Sequence, residues 1–337
     1  MEAETDAIRD HGGSLATARA LFPHAPAPWI DLSTGINPHP YKLPPIPASA
    51  WERLPEDADI ECLCEAAVRR YGAPSAAHLV AAPGTQALLP RVAAMVKPGR
   101  AAVWTPTYAE HARALVRAGH EVIEVSNIDA LADADIAVLV NPNNPDGRLL
   151  SAEELCALAR KLERREGMLV VDEAFMDVRE ADGWSVAGAV ETHANLVVLR
   201  SFGKFYGLAG LRLGFAVAST RIVERLRSEL GPWAVSGPAV AVGCVALGDD
   251  RWASATRARL AAAADRLDHL LGSHGLKVAG GTSLFRFVRT ERSAEVFEAC
   301  GRAGLYLRRF DVMPDALRFG LPPDDQAFAR LERALAR

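Results

Sequence analysis

Lys204 stands in Ser201-Phe202-Gly203-Lys204-Phe205-Tyr206-Gly207, directly after the apolar, β-branched run Leu196-Val197-Val198-Leu199. An amine at the end of a strand can attack a carbonyl carbon and form a Schiff base. Arg212, eight positions on, offers a planar guanidinium that can bind two oxygens of a phosphate. Ser201 adds a hydroxyl, and Pro83-Gly84-Thr85-Gln86 adds a close-approach glycine and a second hydroxyl at an expected helix start, where backbone N–H groups favour anions. Upstream lie Asn141-Pro142-Asn143-Asn144-Pro145-Asp146-Gly147 and, after another apolar run, Asp172-Glu173-Ala174-Phe175. Each residue alone has an ordinary explanation: a loop lysine, a strand-end aspartate, an Asx turn. Their order along the chain is what makes a site.

The elements that must position these groups read as apolar strands alternating with helices over about 60–230. The strands are Leu79–Ala82, Ala101–Trp104, Ile136–Val140, Met168–Val171, Leu196–Leu199 and Leu213–Ala218, with helices to Val96 and over 109–118. Such alternation predicts a mostly parallel sheet covered on both faces, with ligands beyond the carboxyl ends of its strands. Asn141, Asp172 and Ser201 all fall at such ends. Ser151 with Glu154 is a capping-box signature that starts a helix running to Arg165. Residues 1–50 are rich in proline and are expected as an extended arm rather than a helix. Residues 51–231 form the expected large domain, closed by Gly231-Pro232, and 232–337 a smaller α+β domain.

The composition allows a sizeable core: 337 residues, half of them apolar, with a net charge of −4. That balance gives no global basic field for nucleic acid. No apolar run is long enough to span a bilayer, and the polar start, with Glu2, Glu4 and Asp6, lacks the pattern of a secretory signal, so the expected location is the cytoplasm. The five cysteines are odd in number and scattered in apolar contexts, which points to buried thiols. None of the nine histidines sits at metal-ligand spacing, so no metal is expected.

Together, the lysine segment, the Asn-Pro-Asn-Asn-Pro run and Asp172 resemble the fold type I pyridoxal-phosphate enzymes, the aspartate aminotransferase superfamily. The resemblance implies pyridoxal 5'-phosphate as cofactor, held by Lys204 through a Schiff base, with Asp172 at the ring nitrogen and Asn144 at the ring oxygen. It implies Tyr108 stacked on the ring and Gly84, Thr85, Gln86, Ser201 and Arg212 around the phosphate. Lys204 and Asp172 are the implied catalytic pair.

Within that superfamily the chain is most similar to the branch holding histidinol-phosphate aminotransferases and the threonine-phosphate decarboxylases of cobalamin biosynthesis. His11-Gly12-Gly13 and Asp31-Leu32-Ser33-Thr34-Gly35-Ile36-Asn37-Pro38 are similar to the decarboxylases. The implied substrate site comprises His11, Gly12, Gly13, Gly35, Ile36, Asn37, Arg308 and Arg318, for a phosphorylated amino acid, L-threonine O-3-phosphate, in a homodimer. Transamination of a phosphorylated amine such as histidinol phosphate is the alternative reaction, and a silent binding module the alternative of another class. The sequence departs from the wider pattern at Phe175, for a tyrosine that bonds the ring oxygen; at Gly203, for a serine before the lysine; and at Leu54, for a tyrosine that crosses the dimer interface.

Overall fold

The computed structural model describes residues 11–180 and 182–336; the polar start, Met1–Asp10, lies outside them. Its strands are β1 (Ile30–Leu32), β2 (Leu79–Ala82), β3 (Arg100–Trp104), β4 (Glu121–Val125), β5 (Ile136–Val140), β6 (Met168–Asp172), β7 (Leu196–Ser201), β8 (Gly214–Ala218), β9 (Val278–Thr282), β10 (Phe285–Arg289), β11 (Leu305–Phe310) and β12 (Met313–Gly320). Two compact units result. Of the described residues, the larger takes Pro40–Asn144 and Arg148–Ala253, and the smaller those up to His39, Pro145–Gly147 and those from Ser254 on.

The larger unit is built on a sheet of order β2-β8-β7-β6-β5-β3-β4. Every neighbouring pair from β7 to β4 is parallel, while β8 runs antiparallel to both β7 and β2. The residues of β5, β6 and β8 are buried throughout, as expected of strands covered on both faces. One covering layer packs Leu89, Val92, Leu115, Ile222 and Leu226 onto Val80, Val138, Val170 and Val197.

The helix Asp57–Tyr71 opens with a capping box of Glu56 and Asp59, and it buries Leu63, Cys64, Ala67 and Tyr71. The helix Gly237–Leu247 packs against it, and Gly243 sets the approach: a Cβ there would lie 2.6 Å from Leu63 Cδ1. With that helix pair in it, the larger unit runs on past Gly231-Pro232 to Ala253. The Ser151 box forms as expected, with Ser151 N–H donating to Glu154 Oε2 at 2.8 Å and Glu154 N–H to Ser151 Oγ at 3.2 Å.

The smaller unit holds a sheet of order β1-β11-β12-β10-β9, antiparallel except for β1 and β11 (Ile30↔Leu305). The proline-rich start is not uniformly extended: Leu15–Leu21 is a helix, with Ser14 Oγ accepting the Thr17 N–H at 3.2 Å, and Ser49–Glu52 is a helical turn. The prolines cluster outside these spans, so they limit the helices without preventing them. Phe22, just past the first helix, packs on Phe297 at 5.8 Å between centroids and covers Gly301, where no Cβ could fit. All five cysteines are free, but only Cys64 and Cys300 are buried; Cys62 is exposed on its helix, contrary to a uniformly buried set. No helix among the described residues is long and apolar enough to cross a membrane.

Candidate active site

The parallel strands bring their carboxyl ends to one edge of the larger sheet, and every expected cofactor residue arrives there. Asp172 ends β6 and Ser201 ends β7. Asn144 follows β5, Tyr108 follows β3, and Gly84–Gln86 follow β2. Because β8 is antiparallel, its beginning lies at the same edge, and this delivers Arg212.

Glycines permit the closest approach. Gly214, the first residue of β8, pairs with Ala82 on one side and Ser201 on the other. A Cβ on Gly214 would lie 2.6 Å from the Thr85 nitrogen, and one on Gly84 2.7 Å from Arg212 Nη2. A φ of 82° at Gly84 favours glycine in any case. Arg212 itself has φ 55°, a conformation that costs a non-glycine residue on the order of 1 kcal/mol. Its guanidinium, donating to the Ala209 carbonyl at 3.1 Å, thus converges with the amides of the 84–85 turn. A guanidinium, amide N–H groups and the nearby Ser201 hydroxyl form a donor set suited to a phosphate.

Lys204 lies in the helical turn Phe202–Phe205 that follows β7. The turn is anchored by buried Phe202 and Phe205 and by Tyr206, which stacks on Phe202 at 4.3 Å and on Trp252 at 5.4 Å. Gly203 is explained by the same packing, because a Cβ there would lie 2.8 Å from Ala209 Cα; a serine would not fit. Phe175 is buried, and Lys204 Nζ lies 5.9 Å from its ring centroid, at the outer limit of a cation–π contact.

Asp172 is buried with two hydrogen bonds to its carboxylate: Oδ1 accepts the Ala174 N–H at 2.9 Å, and Oδ2 lies 2.9 Å from His111 Nε2. His111 is not among the expected site residues. The signal was its spacing, three residues after Tyr108 at a helix start, where both can face one way; the two rings meet edge to face at 5.9 Å. Tyr108 donates to Gln86 Oε1 at 3.2 Å, and Gln86 donates in turn to Glu110 Oε2 at 3.1 Å. Burial, joined by the charges of Glu110 and Asp172, pushes the Tyr108 hydroxyl up to about 12.

The loop bearing Tyr108 is tied to the loop bearing Asn144. Thr107 Oγ1 donates to Asn143 Oδ1 at 2.6 Å, and Asn143 Nδ2 donates to the Pro106 carbonyl at 2.9 Å. Arg148 stacks on Trp104 and donates to that residue's carbonyl at 2.7 Å. Asn143 is fully buried in this clasp, leaving Asn144 as the more accessible amide.

The expected substrate residues assemble within the smaller unit. Arg308 and Arg318 are register partners on β11 and β12. Arg318 is buried, and its Nη2 donates to the Ser33 carbonyl at 2.6 Å. Burial, then the like charge of Arg308, pushes its guanidinium down to about 9. Ser33, outside the expected substrate residues, is the hub of this region. Its Oγ accepts the Gly13 N–H at 2.7 Å and donates to Asp31 Oδ1 at 2.6 Å. Gly12 lies against the Ser33 carbonyl too closely for any Cβ. Gly35 and Asn37 are buried, with Asn37 Oδ1 accepting the His39 N–H at 2.9 Å, while His11 and Ile36 are half-buried. Leu54, in the larger unit, is 61% exposed.

The edge thus gathers an amine, a buried carboxylate backed by histidine and a set of donors suited to an anion. Residues 28–335 match the model of the aminotransferase class I and II family, and the chain belongs to it. It is 44% identical over 97% of both chains to a threonine-phosphate decarboxylase of Pseudomonas aeruginosa. It is 43% identical, again over 97% of each, to a threonine-phosphate decarboxylase of Sinorhizobium. The fold is shared with the crystal structure of L-threonine-O-3-phosphate decarboxylase from Porphyromonas gingivalis, at a TM-score of 0.75 and 21% identity, covering 90% of this chain and 98% of that one.

Proposed function

We propose that this protein is a pyridoxal-phosphate-dependent decarboxylase that converts L-threonine O-3-phosphate to (R)-1-amino-2-propanol O-2-phosphate and carbon dioxide, a step of cobalamin biosynthesis. The observation that carries this reading is the 43–44% identity to threonine-phosphate decarboxylases across 97% of the chain. The buried Arg318 beside Arg308 supports it, because a guanidinium held down by burial and a like charge is relieved by an arriving anion.

Pyridoxal phosphate, when bound, supplies an aldehyde for the substrate amine and a ring that takes up the electron pair left by departing carbon dioxide. Lys204 provides the amine that holds the aldehyde and afterwards delivers a proton to the substrate α-carbon. Asp172, oriented by His111 and the Ala174 N–H, keeps the ring nitrogen protonated. Arg212, Ser201 and the 84–85 amides hold the phosphate, while Tyr108 and Asn144 orient the ring. His11, Gly12, Gly13, Gly35, Ile36, Asn37, Arg308 and Arg318 hold the two anionic groups of the substrate. That grip decides whether the carboxylate bond or the C–H bond is broken, since the catalytic pair serves both reactions.

The enzyme works as a homodimer in the cytoplasm. Exposed Trp51 and Leu54, the latter on a groove shared with Pro47, Val240 and Cys244, supply an apolar face for a second copy. Sedimentation of the pure protein as a monomer at micromolar concentration would contradict this. Free cysteines fit a reducing compartment.

The test of the reaction is incubation of the cofactor-loaded protein with threonine phosphate and no keto acid. Sustained release of carbon dioxide with one phosphorylated amine per carbon dioxide is expected. A single half-turnover that leaves the cofactor in its amine form would assign the chain to transamination instead.

A further inference from the structure

Gln86 follows Gly84-Thr85, a place where its amide could serve the phosphate, but its side chain is engaged elsewhere. The Glu110 carboxylate can only accept hydrogen bonds, so the Gln86 group 3.1 Å away must be the NH2. The Gln86 carbonyl then faces Tyr108, and the contact at 3.2 Å requires the tyrosine to donate its single O–H proton. Glu110 is itself fixed: it is buried, Arg113 Nη1 lies 2.7 Å from Oε1, and Arg117 Nη2 lies 3.8 Å from Oε2. Donation therefore runs one way from Tyr108 through Gln86 to Glu110, whose other oxygen accepts from Arg113.

We propose that Gln86 and Glu110 are positioning residues that fix the Tyr108 ring for the cofactor, so that Gln86 acts through the tyrosine hydroxyl and not on the phosphate. The proposal rests on the reading that pyridoxal phosphate binds at this edge. With its proton given to Gln86, Tyr108 serves through its ring face and is not a proton donor to substrate. The high titration point of its hydroxyl agrees with that role. Glu110 anchors a ring face while its chain neighbour His111 orients Asp172, so one helix start aligns both the face and the nitrogen of the ring.

A double-mutant cycle on the full chain tests this, read as the dissociation constant of pyridoxal phosphate and the visible circular dichroism of the bound cofactor. Gln86→Leu is expected to weaken binding about tenfold, as coupled neighbours do, and to diminish the dichroic band. In a Tyr108→Phe background the same substitution is expected to have no further effect. Glu110→Gln, which can still accept from Gln86, should retain wild-type affinity where Glu110→Ala does not. Additive losses from Gln86→Leu and Tyr108→Phe would overturn the proposal, because Gln86 would then act on the cofactor directly. Failure of the wild-type chain to bind pyridoxal phosphate would instead overturn the underlying reading, and this proposal with it. Thermal unfolding of each variant separates misfolding from a displaced ring.

Discussion

Arg200 in β7 is wedged between two carboxylates, whereas Arg318 in β12 stands beside a second arginine. Both are buried. Arg200 Nη1 meets Glu173 Oε2 at 2.8 Å and Nη2 meets Asp177 Oδ1 at 2.5 Å, with the Tyr71 ring 4.3 Å away. Burial alone would push the Arg200 guanidinium down, but Asp177 and Glu173 outweigh it and hold it above its ordinary value. At Arg318 burial and Arg308 act in the same direction and Asp31 only partly opposes them. Two carboxylates answer the first arginine's charge, whereas the second lies beside a like charge and donates to the Ser33 carbonyl. The lowered value at Arg318 makes it the functional-site candidate of the two.

The largest effect is expected at the satisfied arginine. Arg200→Met leaves Glu173 and Asp177 buried without their cation, and breaking such a pair costs about 3–5 kcal/mol, read as a lower denaturation midpoint. The loss should depend on pH with an unusual sign. Burial already raises the Glu173 carboxyl despite Arg200, and removing the cation raises it further. A carboxyl whose folded pKa exceeds its unfolded value binds more protons when folded. The variant should therefore recover stability as pH falls through that raised value, and lose it again as pH rises. A pH-independent loss would show that the carboxylates are not the source.

Arg318→Met inverts the pattern. Replacing Arg318 removes a buried cation beside a like charge at the cost of its hydrogen bond to the Ser33 carbonyl, so the thermal midpoint should fall far less than in Arg200→Met. Loss of a charge-assisted anion contact should lower kcat/KM for threonine phosphate by about 100-fold. Equal destabilisation by the two methionine variants would erase the distinction between the two arginines.

The two regions also differ in how much the sequence discloses. Lys204, Asp172 and Asn144 sit in short contiguous motifs just past apolar strands, and a parallel sheet guarantees that such strand ends share an edge. The meeting of Gly84 and Arg212 was legible for the same reason. Ser33 was not, because its importance lies in its distant partners Arg318 and Gly13, and for His111 only its spacing from Tyr108 was legible, not its partner Asp172. The three-residue β1 is defined only by its pairing with β11, and β4 is an edge strand with no buried residue to signal it. β9 contains Gly280-Gly281, which reads as a loop. The glycines are there because the carbonyls of Asp146 and Phe285 approach too closely for a Cβ.

The smallest effect is expected at Arg308, the half-buried source of the pressure on Arg318. Arg308→Met removes a like charge at a register partner, so the Arg318 guanidinium should relax upward and the fold should gain stability, by a few tenths of a kcal/mol for a partly solvated pair. If Arg308 holds one of the two substrate anions, KM for threonine phosphate should still rise, by about tenfold, the lower end of the cost of losing a charged contact. Stability and substrate affinity then move in opposite directions in a single variant. A variant that gains stability with KM unchanged would reduce Arg308 to an electrostatic neighbour and leave Arg318 as the anion-binding arginine of that strand pair.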